Sequence, residues 1–519
     1  MTRAYYVTTP IYYVNAEPHI GHAYTYCVAD ALTRFHRLRG CETWLVTGTD
    51  EHGEKIVEAA AARGIAPRAF ADEISAQFRA VWDEVGLRAD RFVRTTDADH
   101  ARNVQAILQK VHDAGWIELR TYEGLYCVGC ERFLTDRDMD GGRCRDHERA
   151  PEARRESNYF FLMSRAFGWL REHIERNPDF IRPARYRNEA LAMLRDESGL
   201  GDLSISRPKA RLAWGIELPF DRDHVCYVWF DALISYLTGA GYPDDPAFAA
   251  RWAAAEHLIA KDILKPHAIF WPIMLKAAGL APPRHLSVHG YWNVEGRKMS
   301  KSLGNVLSPL AMRDRYGFEA FRYAVLREMS FGLDADLRDA ALVERINADL
   351  ANNLGNLVSR TLNLTERFTG GCVPAPDPAA TGEPERDLAA LAAQTARSVD
   401  ALVAGLEIHR ALEEIFRLVD AANRLMDLRA PWKAAKDPGG GPVVRTTLNA
   451  ACETLRVVAL LLAPFLPAAC AEILARIGLP GALETAQLPG DALRWGALPA
   501  GSPTRRGDPL FPRLEAREP

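Results

Sequence analysis

The chain has 519 residues, 48% of them hydrophobic, and a formal net charge of −4. That length is ample for more than one core, so three or four domains are expected, and the charge balance excludes a globally basic nucleic-acid-coating protein without excluding a local basic patch. The nine cysteines show no disulfide framework, which fits a reducing compartment, and no apolar run reaches the ~18 residues of a membrane span or forms a leader; a cytoplasmic protein without a membrane partner is expected.

In chain order, "AYYVTTPIYY" is rich in aromatic and β-branched residues and reads as a strand. A helix-period stretch follows from Gly21 to Arg39, closed by Gly40, and "ETWLVTG" reads as a second buried strand running into the polar cluster "TDEHG". Strand, helix, strand is a βαβ unit and argues for a parallel sheet. Turn residues, cysteines and arginines then interrupt the pattern. Strand-like apolar text resumes with "HVCYVWFDALISYL", "EHLIAKDILK" and "RHLSVHGYW". The simplest architecture is one parallel sheet carrying an insertion. Later text is helical: "LVERINADLANNLGNLVSRTLNLTERF", a periodic stretch from Ala401 to Leu428, and "TLRVVALLLAPFL", with loops at residues 370–384 and at "KDPGGGP".

Three groups of residues carry chemistry. "PHIGH" places His19 and His22 around Ile20 and Gly21 where the first strand gives way to a helix. Ligands of a parallel sheet sit beyond the carboxyl ends of its strands, a glycine admits close backbone approach, and a helix N-terminus favours anions, so two imidazoles there suit phosphate oxygens. An isolated pair of this kind is more often two satisfied turn histidines. "EGRKMSKSLGN" puts Lys298 and Lys301 in a loop able to fold over a triphosphate, although alone it is more often a solvated basic loop. Finally, Cys127, Cys130, Cys144 and His147 follow a C-x2-C, thirteen-residue, C-x2-H spacing, which suits one tetrahedral structural Zn²⁺ with no open position.

The paired "HIGH" and "KMSKS" are the signature of class I aminoacyl-tRNA synthetases. Within that class the chain resembles the methionyl-tRNA synthetase family over nearly its whole length, through "TTPIYYVN", "PHIGHAY", "TGTDEHG", "YVWFDALISY", "HAIFWP", "VHGYWNVEGRKMSKSLGN", "LANNLGNLVSR" and "APWKAAK". The resemblance implies an α/β Rossmann-type catalytic domain with a parallel sheet, in two parts (1–118 and 216–292) around a connective insertion with a zinc knuckle (119–215). A KMSKS and stem-contact region (293–340) and an all-α anticodon-binding domain (341–519) follow. The implied reaction is ATP-dependent activation of L-methionine to methionyl-adenylate and its transfer to tRNA(Met), for initiation and elongation, with Mg²⁺ accompanying ATP. His19, His22, Lys298 and Lys301 would be catalytic, and these four with Asn15, Lys261 and Asp262 would bind ATP.

By motif position the methionine pocket falls on Ile11, Tyr13, Asp50, Trp229, Leu233, Tyr236, Ile263 and His267. Aromatic walls suit a polarizable thioether, each sulfur–aromatic contact being worth ~0.3–1.5 kcal/mol. Asp50 would take the ammonium, and a hydrogen bond from Tyr236 or His267 would mark the sulfur. Without the motifs, packing is the better reading of those aromatics. Anticodon contacts would be Asn356, Arg360, Pro431 and Trp432, reading CAU. Two departures from the family pattern stand beside these positions: Ala260 replaces a glycine before Lys261, and Pro266 replaces a larger residue before His267.

Other readings explain less. Leucine, isoleucine and valine enzymes carry a far larger editing insertion, and a cysteine enzyme binds zinc beside its amino-acid pocket. A small-metabolite nucleotidyltransferase leaves the KMSKS loop and the helical region unexplained. A tRNA-binding pseudoenzyme is at odds with intact His19, His22, Lys298 and Lys301. The chain shows no β-barrel-type module after the helical region, so a monomer is expected.

Overall fold

A computed structural model of the chain describes all residues except 1–2, 15–16, 129, 131, 135, 197–199, 300–303 and 516–519. It divides into two compact units, Ala4–Pro18 with Thr43–His289, and Met1–Arg3 with His19–Glu42 and Gly290–Pro519.

The first unit is built on a six-stranded sheet in the order Arg91–Arg94, Glu42–Asp50, Ala4–Tyr13, Ala255–Ala260, His285–His289, Ile181–Arg182. Parallel registers include Tyr6 opposite Ala255, Ile259 opposite Val288, Gly48 opposite Val93 and Leu286 opposite Ile181. Chain order runs outward in both directions from Ala4–Tyr13, except that the edge strand Ile181–Arg182 precedes its two inner neighbours in the chain. The reversal lies between that strand and Ala255–Ala260, which is where a doubly wound sheet opens a crevice at its carboxyl ends. Tyr5 to Thr9 are all buried, as expected for a strand covered on both faces. The two threonines are satisfied inside: Thr8 Oγ1 lies 2.8 Å from His257 Nδ1 and Thr9 Oγ1 2.6 Å from Thr47 Oγ1.

Three stretches depart from the sequence reading. Of "HVCYVWFDALISYL" only His224–Cys226 is a strand; Val228–Ala240 is a helix buried on nearly every side. Its polar residues Asp231, Ser235 and Thr238 recur at helical spacing but are buried with the rest, and the surrounding aromatic and β-branched residues mask that period. "HLSVHGYW" splits at Gly290: a Cβ there would come within 2.2 Å of the Leu333 carbonyl oxygen, and Trp292–Val294 joins a separate small sheet with Arg297–Lys298 and Ala335–Leu337. The two-residue strand Ile181–Arg182, too short to show a pattern, completes the edge of the main sheet.

Also in this unit, Ile117–Cys127 pairs antiparallel with Glu152–Phe161 from Ile117 opposite Phe161 to Tyr126 opposite Glu152. The Cys/His group lies at the Tyr126 end of that ladder.

The second unit is mainly helical. Ile20–Arg37 packs on Phe318–Glu328, and a buried Arg322 joins them: Nη1 lies 2.5 Å from Asp30 Oδ2, while Nε and Nη2 donate to the carbonyls of Phe465 and Pro464. The periodic stretch read from Ala401 to Leu428 falls on two helices, the end of Glu383–Ala404 and most of Ile408–Arg429, with a break where Leu406 takes a φ of 62°. Gly355–Thr369, Gly441–Leu462 and Pro467–Arg476 complete the bundle. Among the described residues no helix is long and apolar enough to cross a membrane.

Candidate active site

In the helical unit, His19 is the N-cap of Ile20–Arg37. Its Nδ1 accepts from the Gly21 N–H at 3.1 Å, and His22 Nδ1 accepts from the His19 N–H at 3.3 Å. This is a capping box built from two imidazoles instead of a hydroxyl and a carboxylate. With both Nδ1 atoms accepting, a neutral ring carries its proton on Nε2, and each histidine thus presents an Nε2–H. The rings stack at 3.7 Å between centroids. Burial, aided by His19, pushes the His22 pKa well down and keeps that ring neutral. The glycine has a steric cause: a Cβ on Gly21 would lie 2.9 Å from His19 Cε1.

The same turn is tied to the KMSKS region. Ile20 N–H donates to the Leu307 carbonyl at 3.0 Å, and Met299 Cε lies 3.7 Å from where a Gly21 Cβ would be. Lys298 ends the short strand Arg297–Lys298, with Nζ 4.7 Å from the Tyr291 ring centroid. Lys301 and Asn15 lie outside the described residues.

The methionine-pocket candidates and the ribose candidates belong to the sheet unit. Trp229, Leu233 and Tyr236 share one face of Val228–Ala240 at helical spacing. Lys261, Asp262 and Ile263 form a 3-10 turn at the carboxyl end of Ala255–Ala260, with Asp262 exposed. Pro266 opens a π turn, Pro266–Phe270, that carries His267. His267 Nδ1 lies 2.8 Å from the Ile263 carbonyl, which can only accept, so the proton is on Nδ1. His267 Nε2 is then the acceptor for the Tyr236 hydroxyl at 2.7 Å. Both donors are thus engaged within the protein, and the donation to sulfur read from the sequence is available from neither residue in this arrangement. Burial pushes the His267 pKa down to about 4. Trp229 meets the His267 ring edge-on at 6.4 Å.

Asp50 ends its strand, and its carbonyl accepts from the Val14 N–H at 3.2 Å. The Asp50 charge also contributes, after burial and Tyr12, to raising the Tyr236 pKa, which puts it in the same cluster. Ile11 packs on Gly48, where a Cβ would meet the Val93 carbonyl oxygen at 1.9 Å.

Sequence reasoning missed how firmly the "TDEHG" turn is held. Glu51, fully buried, takes two hydrogen bonds from Arg94 at 2.7 and 2.8 Å and one from Thr49 at 2.6 Å. The Glu51 carbonyl accepts from Trp214 Nε1 at 2.6 Å, and the His52 carbonyl from the Tyr13 hydroxyl at 3.1 Å. His52 Nδ1 is 2.6 Å from Asp231 Oδ2, and His100 Nε2 is 2.6 Å from Asp231 Oδ1. Sequence separation hides this network; the polar cluster "TDEHG" and the aspartate inside the apolar "YVWFDALISY" were its only trace.

Cys127, Cys130, Cys144 and His147 come together with ligand atoms all within 4.8 Å of one another. Cys130 Sγ is 3.4 Å from Cys144 Sγ and 3.3 Å from His147 Nδ1, and Cys144 Sγ is 3.9 Å from His147 Nδ1. Tetrahedral bonds of ~2.3 Å to sulfur and ~2.0–2.1 Å to nitrogen imply edges of about 3.8 and 3.6 Å. The donor set therefore fits one metal ion.

In the helical bundle, Asn356 and Arg360 lie on one face of Gly355–Thr369. Arg360 stacks over Trp432 at 5.1 Å and pairs with Asp427 at 2.7 Å, and Asn356 donates to Asn423 at 3.4 Å. Ala430, at φ 41°, and Pro431 reverse the chain after Ile408–Arg429 and so set Trp432 against Arg360. Asn356, Arg360 and Trp432 thus reach the surface near one another, while Pro431 is buried beneath the turn.

A doubly wound sheet and a histidine-capped helix tied to a KMSKS segment have the form of a class I aminoacyl-tRNA synthetase. The family described as "tRNA synthetases class I (M)" matches residues 5–150 and 138–362, and "Anticodon binding domain of methionyl tRNA ligase" matches 375–518. Methionine–tRNA ligase of Deinococcus radiodurans is 44% identical, covering 99% of this chain and 75% of that protein. The Clostridium perfringens methionine–tRNA ligase is 42% identical over 99% and 79%. The structure of Mycobacterium tuberculosis methionyl-tRNA synthetase in complex with methionyl-adenylate superposes with a TM-score of 0.91 at 38% identity, covering 99% of this chain and 100% of that one. The chain belongs to the methionyl-tRNA synthetase family.

Proposed function

We propose that the protein activates L-methionine with ATP and charges tRNA(Met) bearing the CAU anticodon, for both initiation and elongation. In the first step a methionine carboxylate oxygen attacks the α-phosphorus, the bond to the β-phosphate oxygen breaks, and pyrophosphate leaves. In the second, a terminal ribose hydroxyl of the tRNA attacks the acyl carbon, releasing AMP and a proton. The observation that carries this reading is the reciprocal cap at His19 and His22, in a chain of this family. It leaves the proton of each neutral ring on Nε2 at a helix N-terminus, where phosphate is favoured and positioning does most of the catalytic work.

Lys298 and Lys301 supply the positive charge, and Asn15, Lys261 and Asp262 hold the nucleotide. Mg²⁺ would accompany ATP and offset part of the triphosphate charge. Asp50 receives the substrate ammonium, and Ile11, Tyr13, Trp229, Leu233, Tyr236, Ile263 and His267 surround the side chain. Asn356, Arg360, Pro431 and Trp432 read the anticodon.

The Cys/His cluster holds one Zn²⁺ and, with four protein ligands, stabilises its ladder without activating water. The boundaries read from the sequence, with breaks near 118, 215, 292 and 340, describe the functional parts, and the enzyme acts in the cytoplasm as a monomer. Pyrophosphate exchange assayed with each proteinogenic amino acid tests the assignment. Methionine should be fastest; a fastest rate with leucine or cysteine would overturn it.

A further inference from the structure

The fully buried carboxylate of Asp231 plays no part in the reaction as written, yet its surroundings are completely specified. Asn103 Nδ2 donates to Thr238 Oγ1 at 3.1 Å and to the Tyr242 carbonyl at 2.9 Å. The Thr238 hydroxyl, having accepted there, turns its proton to His100 Nδ1 at 3.2 Å. That leaves the His100 proton on Nε2, donated to Asp231 Oδ1 at 2.6 Å, while His52 Nδ1–H donates to Oδ2 at 2.6 Å. Burial works against the charged form of Asp231, but His52 and His100 prevail and hold its pKa below the usual range.

The position of this carboxylate is informative. Asp231 lies on Val228–Ala240 two residues after Trp229 and two before Leu233, and its partner His52 lies two residues after Asp50. His100 belongs to a third element, the helix Ala98–Asp113. One carboxylate therefore ties the turn that carries the ammonium receptor to the helix that carries the side-chain wall.

We propose that Asp231 is a positioning residue for the amino acid: through His52 and His100 it sets the spacing between Asp50 and the face formed by Trp229, Leu233 and Tyr236. This rests on the methionine-pocket reading above. None of the ATP candidates lies in the network, so the effect of breaking it is confined to the amino acid. A plain fold-stabilising role makes a different forecast, because loosening three packed elements disturbs both substrates together.

The test is Asp231→Asn in the full-length protein, measured by pyrophosphate exchange. An amide cannot accept from both imidazoles in their present tautomers, and losing a hydrogen bond to a charged group corresponds to about a 10- to 100-fold change. KM for methionine should rise by that factor, with KM for ATP within about twofold of the parent. Parallel rises in both KM values, or an unchanged KM for methionine, would overturn the proposal. Should this variant fail to fold, His100→Gln, which keeps a donor toward Asp231, is compared with His100→Ala. A methionine KM rescued by Gln but not by Ala supports the proposal, and equal values overturn it. Wild-type protein with no methionine-dependent exchange would instead be a failure of the functional assignment, visible before any variant is made.

Discussion

Gly21→Ala is the sharpest test of the histidine cap. The new Cβ would sit 2.9 Å from His19 Cε1 and 3.0 Å from Nδ1, closer than carbon atoms approach in folded proteins, so the His19 ring must swing away. Two terms then act on stability in opposite directions. Losing the cap costs ~0.5–2 kcal/mol, while replacing a helical glycine by alanine returns ~0.5–1 kcal/mol. Net stability should move by only about 1 kcal/mol. The rate has no such compensation. If His19 Nε2–H meets phosphate charge in the transition state, misplacing it removes one preorganised donor, worth ~2.7–4 kcal/mol or ~10²–10³-fold. Thermal unfolding and methionine-dependent pyrophosphate exchange measured on one preparation separate the two effects. Exchange within roughly threefold of the parent, in a variant that is folded, would refute the argument, because either the ring tolerates the Cβ or His19 does not serve the phosphates.

Other outcomes follow from the same structure. One zinc per chain should be found by metal analysis of protein prepared without chelator, and Cys127→Ala should lower it while loosening the ladder that begins at Ile117; metal-free wild-type protein would contradict the site. Between the ordinary histidine value of ~6.5 and the folded His267 value of about 4, the unfolded chain takes up a proton that the folded chain does not. Stability therefore falls as pH drops through that window, by up to about 3 kcal/mol from this residue, and a histidine-selective NMR titration placing His267 at or above ~6.5 would refute it. Trp432→Ala should weaken aminoacylation of CAU-bearing tRNA by the ~1–3 kcal/mol of a base–aromatic stack and leave pyrophosphate exchange unchanged; equal loss of both activities would make Trp432 a packing residue.

Local signals in the sequence were reliable where one element carries both pattern and chemistry. "PHIGH" could be placed at a strand-to-helix junction because glycine, histidines and helical periodicity coincide within a few residues. The Cys/His spacing foretold the cluster of four side chains because only two short pairs had to be brought together. The pattern failed where burial hides periodicity: in Val228–Ala240 the polar positions Asp231, Ser235 and Thr238 have helical spacing but sit among tyrosine, tryptophan and β-branched residues that read as strand. It failed again where pairing is decided at long range. Ile181–Arg182 is a strand only because His285–His289 lies beside it, and "HLSVHGYW" splits because Trp292–Val294 pairs with Ala335–Leu337, Gly290 being small enough to pass the Leu333 carbonyl. Asp231 belongs to that second kind, since nothing near it in sequence announces His52 or His100.

The histidines also bear on how the site divides its labour. Burial pushes the pKa values of His22, His257 and His267 down. Hydrogen bonding independently requires the neutral form, because each ring has one nitrogen accepting: from the His19 N–H, from Trp271 Nε1–H at 3.1 Å, and from the Tyr236 hydroxyl. An imidazolium has no acceptor to offer. The donors at the helix N-terminus are therefore directional without carrying charge. A fixed cation there would tighten ATP in the ground state as much as in the transition state, and such uniform binding does not raise the rate of the chemical step. In the proposed reading charge is carried instead by Lys298 and Lys301, whose contact with the triphosphate would be made as pyrophosphate begins to leave. A rigid, neutral, capped helix for aim and a cationic segment for charge is an arrangement in which replacing His22 by lysine should bind ATP more tightly and turn it over more slowly.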